Sequence, residues 1–223
     1  RRFVDYAAHE MKTPLTVMQG TLEVSLQKSR TADEYREVLV SNLEQVQRLI
    51  GLTRSLLTLA RFAGDRPPVQ LVPLALEPLL RELLEDLTPV AEDREVRLVL
   101  EREPVPPVLG DAERLQQLFI NLLDNALRYT DRGGTVTVRL SRSDDHVRVA
   151  VRDTGQGIAP EFLPHLFERF YRTDPARARD SGGTGLGLPI VKEIAEAHHG
   201  FVRVESEVGK GSVFTFTLPA AKP

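Results

Sequence analysis

The most restrictive feature of the sequence is a long run with a seven-residue repeat of apolar positions. Between Tyr35 and Phe62 there is no proline, and the only glycine is Gly51. Small or apolar residues recur alternately four and three positions apart, at Leu39, Leu43, Val46, Ile50, Thr53, Leu57 and Ala60. Such a heptad seam is typical of a helix that packs lengthwise against another helix. The fold must therefore contain a long helix with a helical partner.

A second amphipathic segment precedes this helix. Its apolar residues lie at helical spacing from Phe3 to Leu22, and SRTADE (29–34) then supplies a short turn with Thr31 as a helix cap. Two amphipathic helices joined in this way cannot enclose their own apolar faces. We therefore expect a homodimer in which two hairpins form a four-helix bundle. The alternative is a hairpin that packs on the rest of its own chain.

Composition excludes several classes of protein. The chain has 223 residues, 41% of them hydrophobic, and is long enough to bury a core. Its 29 basic and 32 acidic side chains are interspersed and give a net charge of -3, so we expect no nucleic-acid partner. The absence of cysteine excludes disulfides and a thiol nucleophile.

The sequence contains no apolar stretch long enough to span a bilayer, and it begins RRF. We expect the cytoplasmic portion of a longer protein, with an upstream sensor region that this fragment lacks. A membrane-anchored parent is compatible with this expectation.

The stretch AGDRPP (63–68) ends the helical run with a glycine and two prolines and marks a domain boundary. We expect a first domain over residues 1–64 and a second over residues 69–223. The second domain shows three helical patterns, at residues 76–87, 111–129 and 189–198. Strand patterns such as GGTVTVRLS and HVRVAVRDT accompany them. These elements predict an α+β sandwich with helices on one face of a mixed sheet.

Two glycine-rich stretches favour phosphate binding. DTGQGI (153–158) follows a strand, and GGTGLGLPIVK (182–192) opens into a helix. Glycine lets backbone amides approach a phosphate, and a helix N-terminus adds unpaired N–H groups. The second stretch lacks the features of a Walker A loop and of a dinucleotide fingerprint. Asp153 is either an acceptor for an exocyclic amine or an Asx-turn residue.

Two further stretches are also consistent with a phosphate-binding site. In NLLDNALRYT (121–130), Asn121 and Asn125 share a helix face, and their amide oxygens are suitable ligands for Mg²⁺. The alternative is that both are ordinary core or surface amides. FERFYRTDPARARDSGG (167–183) has the composition of a lid over a ligand, in which Arg169 and Arg172 are candidate phosphate contacts.

Read in order, these four motifs resemble the nucleotide-binding domain of sensor histidine kinases. HEMKTP (9–14) resembles the phosphoacceptor motif of that family. The resemblance covers nearly the whole chain. It implies a dimerising phosphoacceptor hairpin followed by an ATP-binding α/β sandwich of the type shared with the Hsp90, gyrase and MutL ATPases.

The resemblance also implies residue roles. Asn125 coordinates Mg²⁺, Asn121 supports the phosphates and has a catalytic role, and Arg128 contacts phosphate. Tyr129 covers the adenine, and Asp153 bonds the adenine amine. The rest of the expected nucleotide-binding set comprises Gly155, Gly157, Arg169, Arg172, Gly183, Thr184, Gly185, Leu186 and Gly187.

For the reaction, neutral His9 is the expected nucleophile, and the adjacent Glu10 accepts its proton or fixes its tautomer. The resemblance implies that the phosphoryl group passes to an aspartate in the receiver domain of a response regulator. It also implies that Glu10 and Thr13 orient a water that dephosphorylates the regulator. Pro14 removes one helical hydrogen bond beside these residues, and we expect it to weaken the helix.

Two other functions compete with this one. A nucleotide-dependent clamp ATPase of the Hsp90 group would not need HEMKTP. A degenerate dimer that docks a regulator without catalysis would not need Asn125, Asp153 or the glycine motifs.

Overall fold

The computed structural model describes residues 2–63, 69–173 and 184–221, which form a helical hairpin followed by an α/β sandwich. The hairpin consists of α1 (Arg2–Leu26) and α2 (Ala32–Ala63). Thr31 and Glu34 form a reciprocal cap at the start of α2: the Thr31 N–H donates to Glu34 Oε2 at 2.8 Å, and the Glu34 N–H donates to Thr31 Oγ1 at 3.3 Å. Residues 64–68 of the predicted domain boundary lie outside the described residues.

α1 is continuous through Pro14. The Thr13 hydroxyl donates to the carbonyl oxygen of His9 at 3.3 Å, one turn earlier. Proline lacks the N–H that would bond the carbonyl of Glu10, so this turn has one backbone bond fewer than its neighbours.

Within its described residues, the second part contains seven strands and three α-helices. The strands are β1 (Val72–Leu74), β2 (Arg97–Arg102), β3 (Val108–Gly110), β4 (Thr135–Ser143), β5 (His146–Asp153), β6 (Phe201–Glu207) and β7 (Gly211–Pro219). The helices are α3 (Leu76–Asp93), α4 (Ala112–Tyr129) and α5 (Gly187–Ala197), with a 3₁₀ turn at Pro160–His165.

The main sheet has the strand order β2-β4-β5-β7-β6. β2 pairs with β4 in parallel, and the other pairs are antiparallel. Buried residues alternate along β4 and β5 and continue on β7, so that one face of the sheet is covered by the helices. The predicted α+β sandwich is confirmed. Homodimerisation stays a prediction.

Four elements differ from the sequence prediction. α3 continues past Pro89 to Asp93, because its apolar stripe extends to the buried Ala91. Packing of that stripe outweighs the bond that proline removes. α5 begins at Gly187, so Pro189 lies in the first turn, where a missing N–H has no cost. The short strands β1 and β3 pair with each other and were not predicted, since three residues carry too little periodicity.

The hairpin packs on the sandwich of its own chain through one face of α2. Leu52, Leu59 and Phe62 belong to the same hydrophobic core as the sandwich helices. Gln117 on α4 donates from Nε2 to the Thr58 hydroxyl at 3.3 Å. The heptad seam faces elsewhere, because Leu43 on that seam is 56% exposed. None of the described helices combines the length and the hydropathy that crossing a bilayer requires.

A buried histidine links the end of α5 to the start of α4. His198, 2% exposed, follows α5, and its Nε2 accepts the N–H of Asp111 at 3.0 Å. Its Nδ1 must then carry the proton, which it donates to the Ile194 carbonyl at 2.8 Å. Asp111 in turn caps α4 by accepting the Arg114 N–H at 3.2 Å. Burial lowers the pKa of His198, so the neutral ring is the form that the fold accepts.

This arrangement predicts how stability depends on pH. Because the pKa of folded His198 is lower than the unfolded value, the unfolded chain binds more protons as the pH falls below about 6.5. The His198 contribution is therefore complete above that pH and is lost on acidification. His198→Gln should be less stable at pH 7.5 by about 1–3 kcal/mol. It should also lose less stability than the parent between pH 7.5 and 5.5, as measured by urea unfolding. His146→Gln, at an exposed position, is the control; equal pH slopes for the parent and His198→Gln would contradict the prediction.

Candidate functional site

A cavity of about 920 Å³ lies between α2 and the sandwich, at the C-terminal half of α4 and the N-terminus of α5. Most of the residues predicted for the nucleotide site line it. These are Asn121, Asn125, Arg128, Tyr129, Asp153, Gly157, Arg172, Thr184, Gly185 and Gly187. The fold thus brings together motifs that extend over residues 121–187 of the sequence.

The two asparagines lie one turn apart on a half-buried face of α4, beside its buried leucines. Asn121 donates from Nδ2 to the Gln117 carbonyl at 3.0 Å. Its Oδ1 is directed at α5, since a Cβ added to Gly187 would lie 3.2 Å from that oxygen. The Asn125 side chain forms no hydrogen bond with any residue in the described ranges, so its amide is available to a ligand.

Asp153, at the end of β5, is 5% exposed. Its Oδ1 accepts the N–H of Gly155 at 2.9 Å and the N–H of Ser212 at 3.2 Å. Burial raises the pKa of the carboxyl group, and these two donors act against the rise. Asp153 therefore closes an Asx-type turn and also lines the cavity, and its role as acceptor for an exocyclic amine stays a prediction.

The glycines after Asp153 permit two close backbone contacts. A Cβ on Gly155 would lie 2.0 Å from the carbonyl oxygen of Tyr129, so this glycine lets the loop pack on the end of α4. Gly157 has φ +69°, and its Cβ would lie 2.0 Å from the carbonyl oxygen of Glu207. Gly157 lines the cavity, whereas Gly155 does not and instead packs against the end of α4.

Of the lid motif, the structure describes only residues 167–173. The Phe170 N–H donates to the Gly185 carbonyl at 2.9 Å, which joins this part to the second glycine-rich stretch. Arg172 lines the cavity, whereas Arg169 Nη2 pairs with Glu193 Oε1 on α5 at 3.0 Å. Leu186 is fully buried beneath the cavity. Gly183 lies outside the described residues.

The structure does not bring the predicted acceptor into the cavity. His9 and Thr13 are exposed, Glu10 is half-buried, and none of the three lines the cavity. α1 is nevertheless held beside the site, because the Tyr6 ring lies against the Phe170 ring with centroids 4.3 Å apart. Tyr6 lies one helical turn before His9.

Sequence reasoning missed two groups in the cavity. Asp124, between the two asparagines, has a pKa raised by desolvation, while Arg128 and Arg94 lower it. Residues of α2 form the opposite wall, among them Arg48. The heptad pattern gave no signal for this wall, since it assigns those positions only to a polar face of the helix.

Comparison with known proteins agrees with this architecture. The family described as histidine kinase-, DNA gyrase B- and HSP90-like ATPase matches residues 110–222, and the His Kinase A (phospho-acceptor) domain matches residues 1–64. The sensor histidine kinase CusS of Escherichia coli strain K12 is 41% identical over 215 residues, which are 96% of this chain and 44% of CusS. The chain spans about half the length of the curated relatives that it matches.

Two solved structures have the same fold. The histidine kinase AdeS of Acinetobacter baumannii has a TM-score of 0.79 at 26% identity, over 96% of this chain and 98% of that one. Full-length ShkA, crystallised in complex with AMPPNP, has a TM-score of 0.75 at 32% identity, over 96% of this chain and 45% of that one. The helical hairpin, the sandwich with its lined cavity and both family matches agree: this chain belongs to the sensor histidine kinases of two-component systems.

Proposed function

We propose that the chain is an ATP-dependent kinase that phosphorylates its own His9 and passes the phosphoryl group to an aspartate of a response regulator. The observation that carries the proposal is the cavity, which combines a buried acceptor, Asp153, with the amide of Asn125 and the glycine-rich start of α5. We propose domain limits of 1–64 for the phosphoacceptor part and 69–223 for the catalytic part.

Each part of ATP has a matching group in the cavity. Asp153 is the acceptor for the adenine amine, and Tyr129, 43% exposed, offers a ring that can cover the base. Arg128, Arg172 and the first N–H groups of α5 suit the phosphates. The AMPPNP complex of ShkA, a relative with the same fold, supports this assignment.

The residues fit Mg²⁺ bound together with the phosphates. No group of three His, Cys, Asp or Glu that could hold a metal occurs in the described ranges, so the protein supplies few ligands of its own. The Asn125 amide oxygen, which has no partner among the described residues, is the ligand we assign. When bound, Mg²⁺ neutralises the charge that develops on the transferring phosphate.

In the proposed reaction, one ring nitrogen of neutral His9 attacks the γ-phosphorus and the bond to the ADP oxygen breaks. Glu10 accepts the proton that the other ring nitrogen loses. Glu10 and Thr13 lie three positions apart on α1, near the same face, and we assign them jointly to orienting water when a phosphorylated regulator is hydrolysed.

Labelling with ATP that carries a radioactive γ-phosphate, in the presence of Mg²⁺, tests the proposal. The parent should acquire acid-labile, base-stable label, whereas His9→Gln should acquire none because it lacks the nucleophile. Asn125→Ala should lose at least about a hundredfold in rate, since a charge-stabilising ligand is missing. His165→Gln, at another exposed histidine, should label like the parent. Label retained by His9→Gln would rule out this acceptor, and hydrolysis of ATP without any protein label would favour the clamp ATPase.

A second experiment tests the adenine assignment. Asp153→Asn keeps an oxygen for the two N–H donors but places an amide donor where the carboxylate accepts. We expect AMPPNP affinity to fall at least about tenfold, the cost of one lost charged hydrogen bond, while the folded state persists. Calorimetric titration and thermal unfolding measure the two quantities. Binding equal to that of the parent would remove Asp153 from the nucleotide site.

We also propose that the chain is a homodimer. All five large apolar residues of the heptad seam are exposed, its leucines most of all: Leu39 at 64%, Leu43 at 56%, Val46 at 41%, Ile50 at 47% and Leu57 at 56%. A row of exposed leucines along a helix is suited to burial against a second hairpin. Leu43→Glu should therefore shift the chain to a monomer in light scattering after gel filtration. Gln47→Glu adds the same charge at an exposed position outside the seam and should leave the chain dimeric. If both variants remain dimeric, the proposed interface is wrong.

A further inference from the structure

One wall of the cavity comes from the helical hairpin. The α2 residues that line it are Glu44, Gln45, Arg48, Gly51, Leu52 and Ser55. They recur three and four positions apart and so form one helix face, which is distinct from the heptad seam. α2 therefore has two specialised faces, and the second one faces the proposed nucleotide.

Arg48 is the only cation that the described part of α2 presents to this cavity. It is half-buried, and its guanidinium forms no hydrogen bond or ion pair with any residue in the described ranges. A guanidinium without an acceptor in the protein can donate two parallel hydrogen bonds to a phosphate. Asn125, Arg128 and Arg172, which we assign to the metal and the phosphates, line the same cavity.

Gly51 provides a second, independent observation. Glycine inside a helix costs about 1 kcal/mol relative to alanine. A Cβ placed on Gly51 would meet no heavy atom within 4 Å, so packing within the protein does not require glycine there. Because Gly51 lines the cavity, the missing side chain leaves ligand space next to Arg48, one turn away.

We propose that α2 completes the nucleotide site, with Arg48 binding a phosphate of the nucleotide and Gly51 leaving room for it. This inference rests on the proposed ATP binding and extends it to a domain outside the sandwich. The bound nucleotide then contacts both domains and stabilises their docked arrangement, in which His9 lies outside the cavity.

Calorimetric titration of the whole chain with AMPPNP and with adenosine tests the role of Arg48. Arg48→Gln should weaken AMPPNP binding about tenfold, the loss of one charge-assisted hydrogen bond, and leave adenosine binding unchanged. Arg54→Gln removes the same charge from an exposed position of α2 that does not line the cavity, and it should change neither affinity. Glu44→Gln removes a negative charge from the cavity wall and should tighten AMPPNP binding, the opposite direction.

The outcomes separate this inference from the function on which it rests. If the parent binds AMPPNP and Arg48→Gln binds it equally well, the inference is overturned and the proposed function stands. If Arg48→Gln weakens the binding of AMPPNP and of adenosine equally, the phosphate contact is overturned, because a local distortion of the cavity would then explain both losses. A parent that binds neither compound would overturn the proposed function itself.

Gly51→Leu tests the space that the glycine leaves. Leucine favours the helix, so the folded state should be at least as stable as in the parent, while AMPPNP affinity should fall at least about tenfold as the side chain enters the cavity. Gly20→Leu is the matched control, since Gly20 lies in α1, has an equally open Cβ position and does not line the cavity. Unchanged affinity in Gly51→Leu would overturn the proposed place of the nucleotide against α2.

Discussion

The packing of α4 against the sheet is the interaction on which the rest of the structure depends. Leu115, Leu118, Phe119 and Leu123 on one face of this helix are fully buried, and the Phe119 ring meets the Phe216 ring of β7 edge to face with centroids 5.8 Å apart. Burial of each such side chain stabilises the fold by about 1.5–3 kcal/mol. An adjacent face carries the asparagines that line the cavity, so apolar packing holds these polar groups in place. Polar groups that lack partners within the protein could not fix the helix themselves, because burying them unpaired is unfavourable.

A second apolar contact decides how the two domains meet. Leu52, Leu59 and Phe62 of α2 join the core of the sandwich, and Tyr6 of α1 lies against Phe170. In this arrangement α2 faces the cavity and His9 does not. Under the proposed function, transfer to His9 therefore requires another arrangement of the two domains or the His9 of a second chain. Under the same proposal, the docked form holds a nucleotide away from His9.

Much of the fold could be predicted from the sequence because its signals are local. The heptad repeat predicted α2, the Thr31 and Glu34 cap marks where it begins, and alternation of apolar residues predicted β4 and β5. Spacing within α4 predicted that Asn121 and Asn125 would share a face. The continuation of α3 past Pro89 could not be predicted locally, since burial of Ala91 outweighs the helix-breaking tendency of proline. The buried, neutral state of His198 also depends on a contact with Asp111, 87 positions away.

The sequence by itself determined the types of element and the residue types proposed for the site, because periodicity, caps, glycines and amide spacing act over a few neighbouring residues. Only the tertiary structure decided which of these elements meet. It placed Arg172 in the cavity and paired Arg169 with Glu193, although both belong to one short motif. It also made α2 a wall of the cavity, through apolar contacts between segments far apart in the chain. Such contacts depend on the summed burial of many side chains, which no local pattern in the sequence encodes.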